Sequence, residues 1–176
     1  MKTVITFSAA LFVMLSVFTF NAQAEEQPAE QADTGFSRFA ALVGTWTGIE
    51  THEGETKQIT VTYELTAGGT AVLETLFVGS EHEMVSLLFN DGEQLTMTHY
   101  CMLGNQPTMV AQPVSQSDRI EFVCVGGTNM PDENVMHMHE ADYTFLGGDR
   151  LESTWTLHEG GQAVDSTTFI LERAAE

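Results

Sequence analysis

Positive charge is what this chain has least of. Six Lys and Arg stand against 25 Asp and Glu in 176 residues, a formal net charge of −19 at pH 7. Phosphate backbones and anionic lipid surfaces are held by clustered cations. Here Arg38, Lys57, Arg119, Arg150 and Arg173 stand singly along the chain after residue 24. Nucleic-acid binding is therefore excluded. Cysteine is nearly absent: Cys101 and Cys124 allow one bridge at most and cannot define a disulfide scaffold. The fold must rest on an apolar core, and 43% hydrophobic with 9% aromatic residues supply one, which separates the chain from disordered acidic segments. Beyond residue 24 no apolar run is long enough to span a bilayer. Gly-x-Ser-x-Gly, His-Glu-x-x-His, a P-loop and a Rossmann glycine string are all missing. The many acids fall on polar strand faces, where solvation accounts for them. Cys101 near His99 lacks an evident orienting acid for nucleophilic catalysis. The reading leans away from an enzyme.

What is present begins with a secretory pattern. Lys2 supplies a positive start, residues 4–20 are apolar apart from Thr and Ser, and Ala22-Gln23-Ala24 offers a cleavage site before Glu25. Residues 1–24 read as a signal peptide, and the expected location is periplasmic or secreted, with no stable membrane insertion once the signal is gone. Its removal takes Lys2 and no acid, so −19 becomes −20. Residues 25–35 read as a disordered acidic leader. The folded domain is expected over residues 36–173.

Within that domain Phe36, Phe39, Ala40 and Val43 recur at helical spacing, which predicts one short helix over 36–43 ended by Gly44. Turn signals then recur every ~8–12 residues, the spacing of an antiparallel sandwich or barrel. The expected strands are 45–52, 57–65, 70–78, 82–89, 94–102, 108–114, 119–125, 137–146, 150–157 and 162–172. Ile59, Val61, Tyr63 and Leu65 alternate with Thr60, Thr62 and Glu64, and Ala71, Leu73, Thr75 and Phe77 with Val72, Glu74 and Leu76. Period-2 patterning gives each strand one buried and one wet face. Ten strands in series, nearly all hairpin-linked, predict an all-β fold: a single antiparallel up-and-down barrel, because closure removes exposed edges. In a meander the strands carrying Cys101 and Cys124 are separated by one, ~9–10 Å at two strand spacings. That is more than a relaxed disulfide spans, so a bridge requires the strand ends to curl together.

Three of the six histidines fall inside strands. Regular alternation puts His99 on one face with Leu95, Met97 and Cys101, and His137 with His139, Ala141, Tyr143 and Phe145. The presumed inner faces thus mix large groups (Tyr63, Phe77, Tyr143, Phe145, Trp155, Phe169) with His99, His137 and His139. Two readings follow. The first is a cavity for a small, largely apolar molecule, with His99, His137, His139, Tyr143 and Trp155 as the ligand-binding residues. The second is a zinc or copper site drawn from His99, Cys101, His137 and His139, which needs the two strands to approach one another. His52, His82 and His158, at strand ends, read as solvated. No cofactor is favoured and no catalytic residue is assigned.

Leu42-Val43-Gly44-Thr45-Trp46-Thr47-Gly48 resembles the G-x-W-x-G opening of lipocalin-like (calycin) barrels, in which a short helix leads into the first strand and the Trp plugs the floor. The ten-strand count is similar to the nitrobindin and fatty-acid-binding branch. The segment from Thr98 to Pro107, with His137-Met138-His139, also resembles exported bacterial lipocalin-like proteins of unknown function. The resemblance implies a barrel and a cavity, and no reaction. Its nitrobindin side implies haem held by a histidine on a late strand, for which His139 or His158 would stand in.

Overall fold

The computed structural model describes residues 35–113 and 118–175. The signal-peptide and leader readings, up to residue 34, lie outside the described residues. One short helix, α1 (Phe36–Ala40), precedes ten strands: β1 (Gly44–His52), β2 (Glu55–Thr66), β3 (Ala71–Leu76), β4 (Met84–Asp91), β5 (Gln94–Tyr100), β6 (Gln106–Ala111), β7 (Arg119–Thr128), β8 (His137–Gly147), β9 (Arg150–Glu159) and β10 (Gln162–Arg173). Each strand pairs antiparallel with its neighbours in sequence, and β1 pairs with β10, so the sheet closes into a barrel. The expected all-β, ten-stranded barrel with its N-terminal helix is the observed fold.

Alternation drives closure. Ile59, Val61 and Tyr63 of β2 are buried, as are Met84, Ser86 and Leu88 of β4. The β8–β9 hairpin turns through Gly147 and Gly148 at φ 72° and 58°, a conformation that side chains with a Cβ disfavour. The helix is shorter than expected and stops at Ala40, where the Ala41 and Leu42 amides bond back to Ser37 and Phe39.

Its end is bound to the barrel floor. The Trp46 indole N–H donates to the Leu42 carbonyl at 2.7 Å, and the Arg173 guanidinium lies 4.5 Å over the Trp46 ring. Arg173 also donates to the carbonyls of Ala41 and Val43, satisfying groups that the helix end leaves free. Above it Phe39 meets Phe122, Tyr143 and Phe145 edge-on. This half of the interior is filled by side chains.

Gly48 has a separate role in closure. A Cβ there would lie 1.9 Å from the Ile170 carbonyl oxygen, on the β1–β10 ladder that seals the barrel. Since backbone cannot yield as a flexible side chain can, Gly48→Ala is expected to destabilise by roughly 1–3 kcal/mol or more. Equilibrium urea unfolding checks this; an unchanged midpoint would show that the seam can slide apart freely.

Two local readings change. On β3 it is Val72, Glu74 and Leu76 that are buried, while Leu73 and Thr75 are half-exposed. Phe77 reaches the interior only because β3 has ended: at φ 57° it turns its ring against Phe169. On β8 the register slips between Met138 and Glu140. Met138 pairs with Leu157 and Ala141 with Trp155, so residues three apart share a face and His137 falls on the opposite one.

Candidate functional site

The end of the barrel away from α1 holds a cavity of about 460 Å³. Its apolar wall includes Ile59, Leu76, Met84, Met138, Trp155 and Phe169, and its mouth carries Glu50, Lys57 and a hydrogen-bonded His52–Asp165 pair. That hydrogen bond is the main reason His52 titrates above its ordinary value.

At the inner end His99 is fully buried, its ring 4.6 Å from that of Trp155. Its Nδ1 lies 3.0 Å from Ser86 Oγ, while Nε2 has no partner. The Trp155 indole N–H, also lining the cavity, is likewise buried without a partner. Native interiors rarely leave such atoms unpaired, since each costs about 1–3 kcal/mol. Desolvation brings His99 down from 6.5 to about 4, so its imidazole is neutral near pH 7.

Behind His99 stands a residue that alternation had assigned to solvent. Glu74 is fully buried. It accepts hydrogen bonds from the Tyr63 hydroxyl at 2.9 Å and the Tyr143 hydroxyl at 3.0 Å, and it is bonded to Ser86. Burial raises its pKa despite these three donors, and it raises both tyrosines well above their usual range. With Glu74 ionised, Ser86 donates to the carboxylate and accepts from His99 Nδ1–H. His99 Nε2 is then a bare acceptor facing the cavity. With Glu74 protonated the chain can reverse, and Nε2 carries a proton instead. A glutamate on β3 thus governs the polarity of an atom on β5. No signal in the sequence marked Glu74, because Ala71, Leu73 and Phe77 make the other face of this segment the more apolar one.

The structure divides the other expected site residues. His99 and Trp155 line the cavity; Tyr143 lies beneath it and acts through Glu74. His137, His139 and Cys101 do not line it, and of the four-residue metal set only His137 and His139 meet, without His99 or Cys101. Among the described residues one group of metal-ligating side chains converges: Cys124, His137 and His139, with ligand atoms all within 4.8 Å of one another. Cys101 and Cys124 are both free thiols, raised by burial. His158, read as solvated, is only 14% exposed at its side chain and stacks on His139 at 4.1 Å. Because neither His139 nor His158 lines the cavity, the histidines offered for haem do not fit that group there, and no step is assigned to it.

No protein-family model and no curated protein sequence matches the chain. Among solved structures it is similar to the crystal structure of Rv2717c from M. tuberculosis, with a TM-score of 0.52 and 16% identity over 80% of this chain and 97% of that one. A protein of unknown function from the DUF3598 family of Nostoc punctiforme gives a TM-score of 0.39 and 15% identity, over 76% of this chain and 47% of that one. Among the described residues no helix is long and apolar enough to cross a membrane. At 16% identity the first likeness speaks to fold alone, and with strand order and closure it supports one conclusion: the chain is a closed ten-stranded antiparallel barrel, which fits a calycin-like fold.

Proposed function

We propose that this barrel is a non-enzymatic binding protein for a small, largely apolar molecule held in the 460 Å³ cavity. Pockets for such ligands run to roughly 300–1,000 Å³, mostly apolar with a few placed polar groups. The observation that carries the reading is the pair of unpartnered buried atoms, His99 Nε2 and Trp155 Nε1, on neighbouring rings whose centroids lie 4.6 Å apart in an apolar wall. With Glu74 ionised, a lone-pair acceptor on one ring and an N–H donor on the next suit a polar end that both donates and accepts: a hydroxyl, an amide or an un-ionised acid. A carboxylate offers only acceptors and would face the Nε2 lone pair. We also infer export through residues 1–24 to a periplasmic or secreted location, and a place in the nitrobindin and fatty-acid-binding branch of calycins. Export rests on the sequence pattern, and the branch on the strand count.

Native mass spectrometry of protein purified from its own exporting cells tests both parts in one spectrum. The expected result is a mature chain beginning at Glu25 that carries an organic mass. Titration with a fluorescent long-chain alcohol and the matching carboxylic acid at neutral pH then separates the polar ends. The alcohol is expected to bind more tightly, and His99→Phe to weaken it by roughly 10-fold. A chain with no bound mass and no affinity for either probe would remove the binding reading.

A further inference from the structure

We propose that Cys124, His137 and His139 form a binding site for one thiophilic d10 cation, Zn2+ or Cu+, in the barrel wall and separate from the ligand cavity. The topology explains why they meet. The β7–β8 ladder ends at Val123 paired with Glu140. Cys124 and His139 are the next residues along each strand, and residues opposite one another in an antiparallel pair hold their Cβ atoms about 4.5–5.5 Å apart. The slip in β8 between Met138 and Glu140 leaves His139 out of the β8–β9 ladder. His137, two residues earlier, places its Nε2 2.9 Å from His139 Nδ1. All three ligand atoms fall within 4.8 Å of one another, and none of these residues lines the cavity.

The donor set selects the ion. One thiolate with two imidazoles is borderline-soft, which suits zinc and cuprous copper and not magnesium or calcium. Three protein ligands leave a fourth position for water or an exchangeable group on zinc. The supporting contacts have the form such sites use: His137 Nδ1 lies 2.7 Å from the Val135 carbonyl, so Nδ1–H donates there and Nε2 keeps its lone pair for the centre. The Val135 segment is itself tied down, by Asn105 donating to the Met136 carbonyl and by the Gly160 amide donating to that of Asn134. Beside the group, His158 Nε2 is buried with no hydrogen-bond partner, its ring stacked on His139.

Without metal, the His139 Nδ1–H fills the centre by donating to His137 Nε2. Binding balances as follows: the ion takes both nitrogen lone pairs and the sulfur, the His139 proton moves to its Nε2, and the Cys124 proton leaves to solvent. One proton is released per ion.

The test uses reduced, metal-stripped full-length mature protein. Zn2+ is titrated against a chromophoric chelator, Cu+ anaerobically against bicinchoninate, and Co2+ serves as the absorbing stand-in for zinc. One equivalent is expected, with a thiolate-to-cobalt charge-transfer band. Cys124→Ser and His139→Gln should abolish the band and weaken binding beyond the roughly 10–100-fold that loss of a supporting contact causes. His99→Gln and Cys101→Ser should bind like the wild type. Whichever of Zn2+ and Cu+ competes better names the ion. A second readout avoids variants: alkylation of Cys124 in the folded wild type, followed by peptide mass, should slow when the ion is present. Affinity unchanged in Cys124→Ser, loss in Cys101→Ser, alkylation indifferent to metal, or several weak equivalents screened by salt would each overturn the site.

Discussion

Replacing Glu74 with alanine is expected to lower the unfolding free energy by roughly 2–5 kcal/mol, the sum of hydroxyls left unpaired and of the cavity left behind. The loss has two parts. Tyr63, Tyr143 and Ser86 lose the acceptor that they share, and the fully buried side chain leaves a void beside them. Glu74→Gln keeps the volume and a carbonyl acceptor, so it should cost less. The two variants differ in pH dependence. Because burial raises the Glu74 pKa, its contribution is fully present below its ordinary value of 4.5 and is lost as pH rises through the folded value. The stability gap between wild type and Glu74→Gln should therefore narrow from acid toward alkali. Urea unfolding across pH measures it. A Glu74→Ala protein within ~0.5 kcal/mol of wild type, the usual size of a surface effect, would mean that the buried network carries no weight.

Acidification acts in the opposite sense through His99. Its pKa is lowered from 6.5 to about 4, by desolvation. Its neutral form therefore stabilises the fold fully above pH 6.5, and that contribution disappears as pH falls to about 4. At about 1.4 kcal/mol per pH unit, the full excursion is roughly 3 kcal/mol. His99→Phe keeps a ring against Trp155 and removes the titration. Wild type should consequently lose stability relative to His99→Phe by about that amount between pH 6.5 and 4. Thermal or urea melts of the pair at matched pH read the difference directly, with other titrating groups common to both. Superimposable acid limbs would show that His99 is hydrated and protonates freely, and a hydrated His99 would also undercut the unpartnered acceptor on which ligand recognition rests.

The two residues are linked through Ser86. With glutamine at position 74 the amide N–H can donate to Ser86, which then donates to His99 Nδ1 and places the ring proton on Nε2. Glu74→Gln should therefore alter which polar end the cavity prefers even though residue 74 does not line it.

Local chemistry set the order of the elements, and the residues alone were enough to read it. Turn glycines and two-residue alternation depend only on neighbours along the chain, so the ten strands were placed within a few residues of their observed ends, and strand number with hairpin linkage already implied closure. Trp46 at the floor was implied by the resemblance of its G-x-W-x-G segment, whereas the part of Gly48 in the seam was not legible, because the Ile170 carbonyl it must clear lies on β10, far along the chain. The site was decided elsewhere. Glu74 is buried because Tyr63 and Tyr143, 11 residues before and 69 after, bring it hydroxyl donors, and no local pattern carries that information. The register slip at His139 depends on how β8 fits β9. One unpaired residue there inverts the face of everything before it, which takes the still buried His137 off the cavity face, brings Met138 onto it, and makes Cys124 rather than Cys101 the sulfur beside the histidines. Alternation fixes faces only while register holds, and register is a property of the closed sheet.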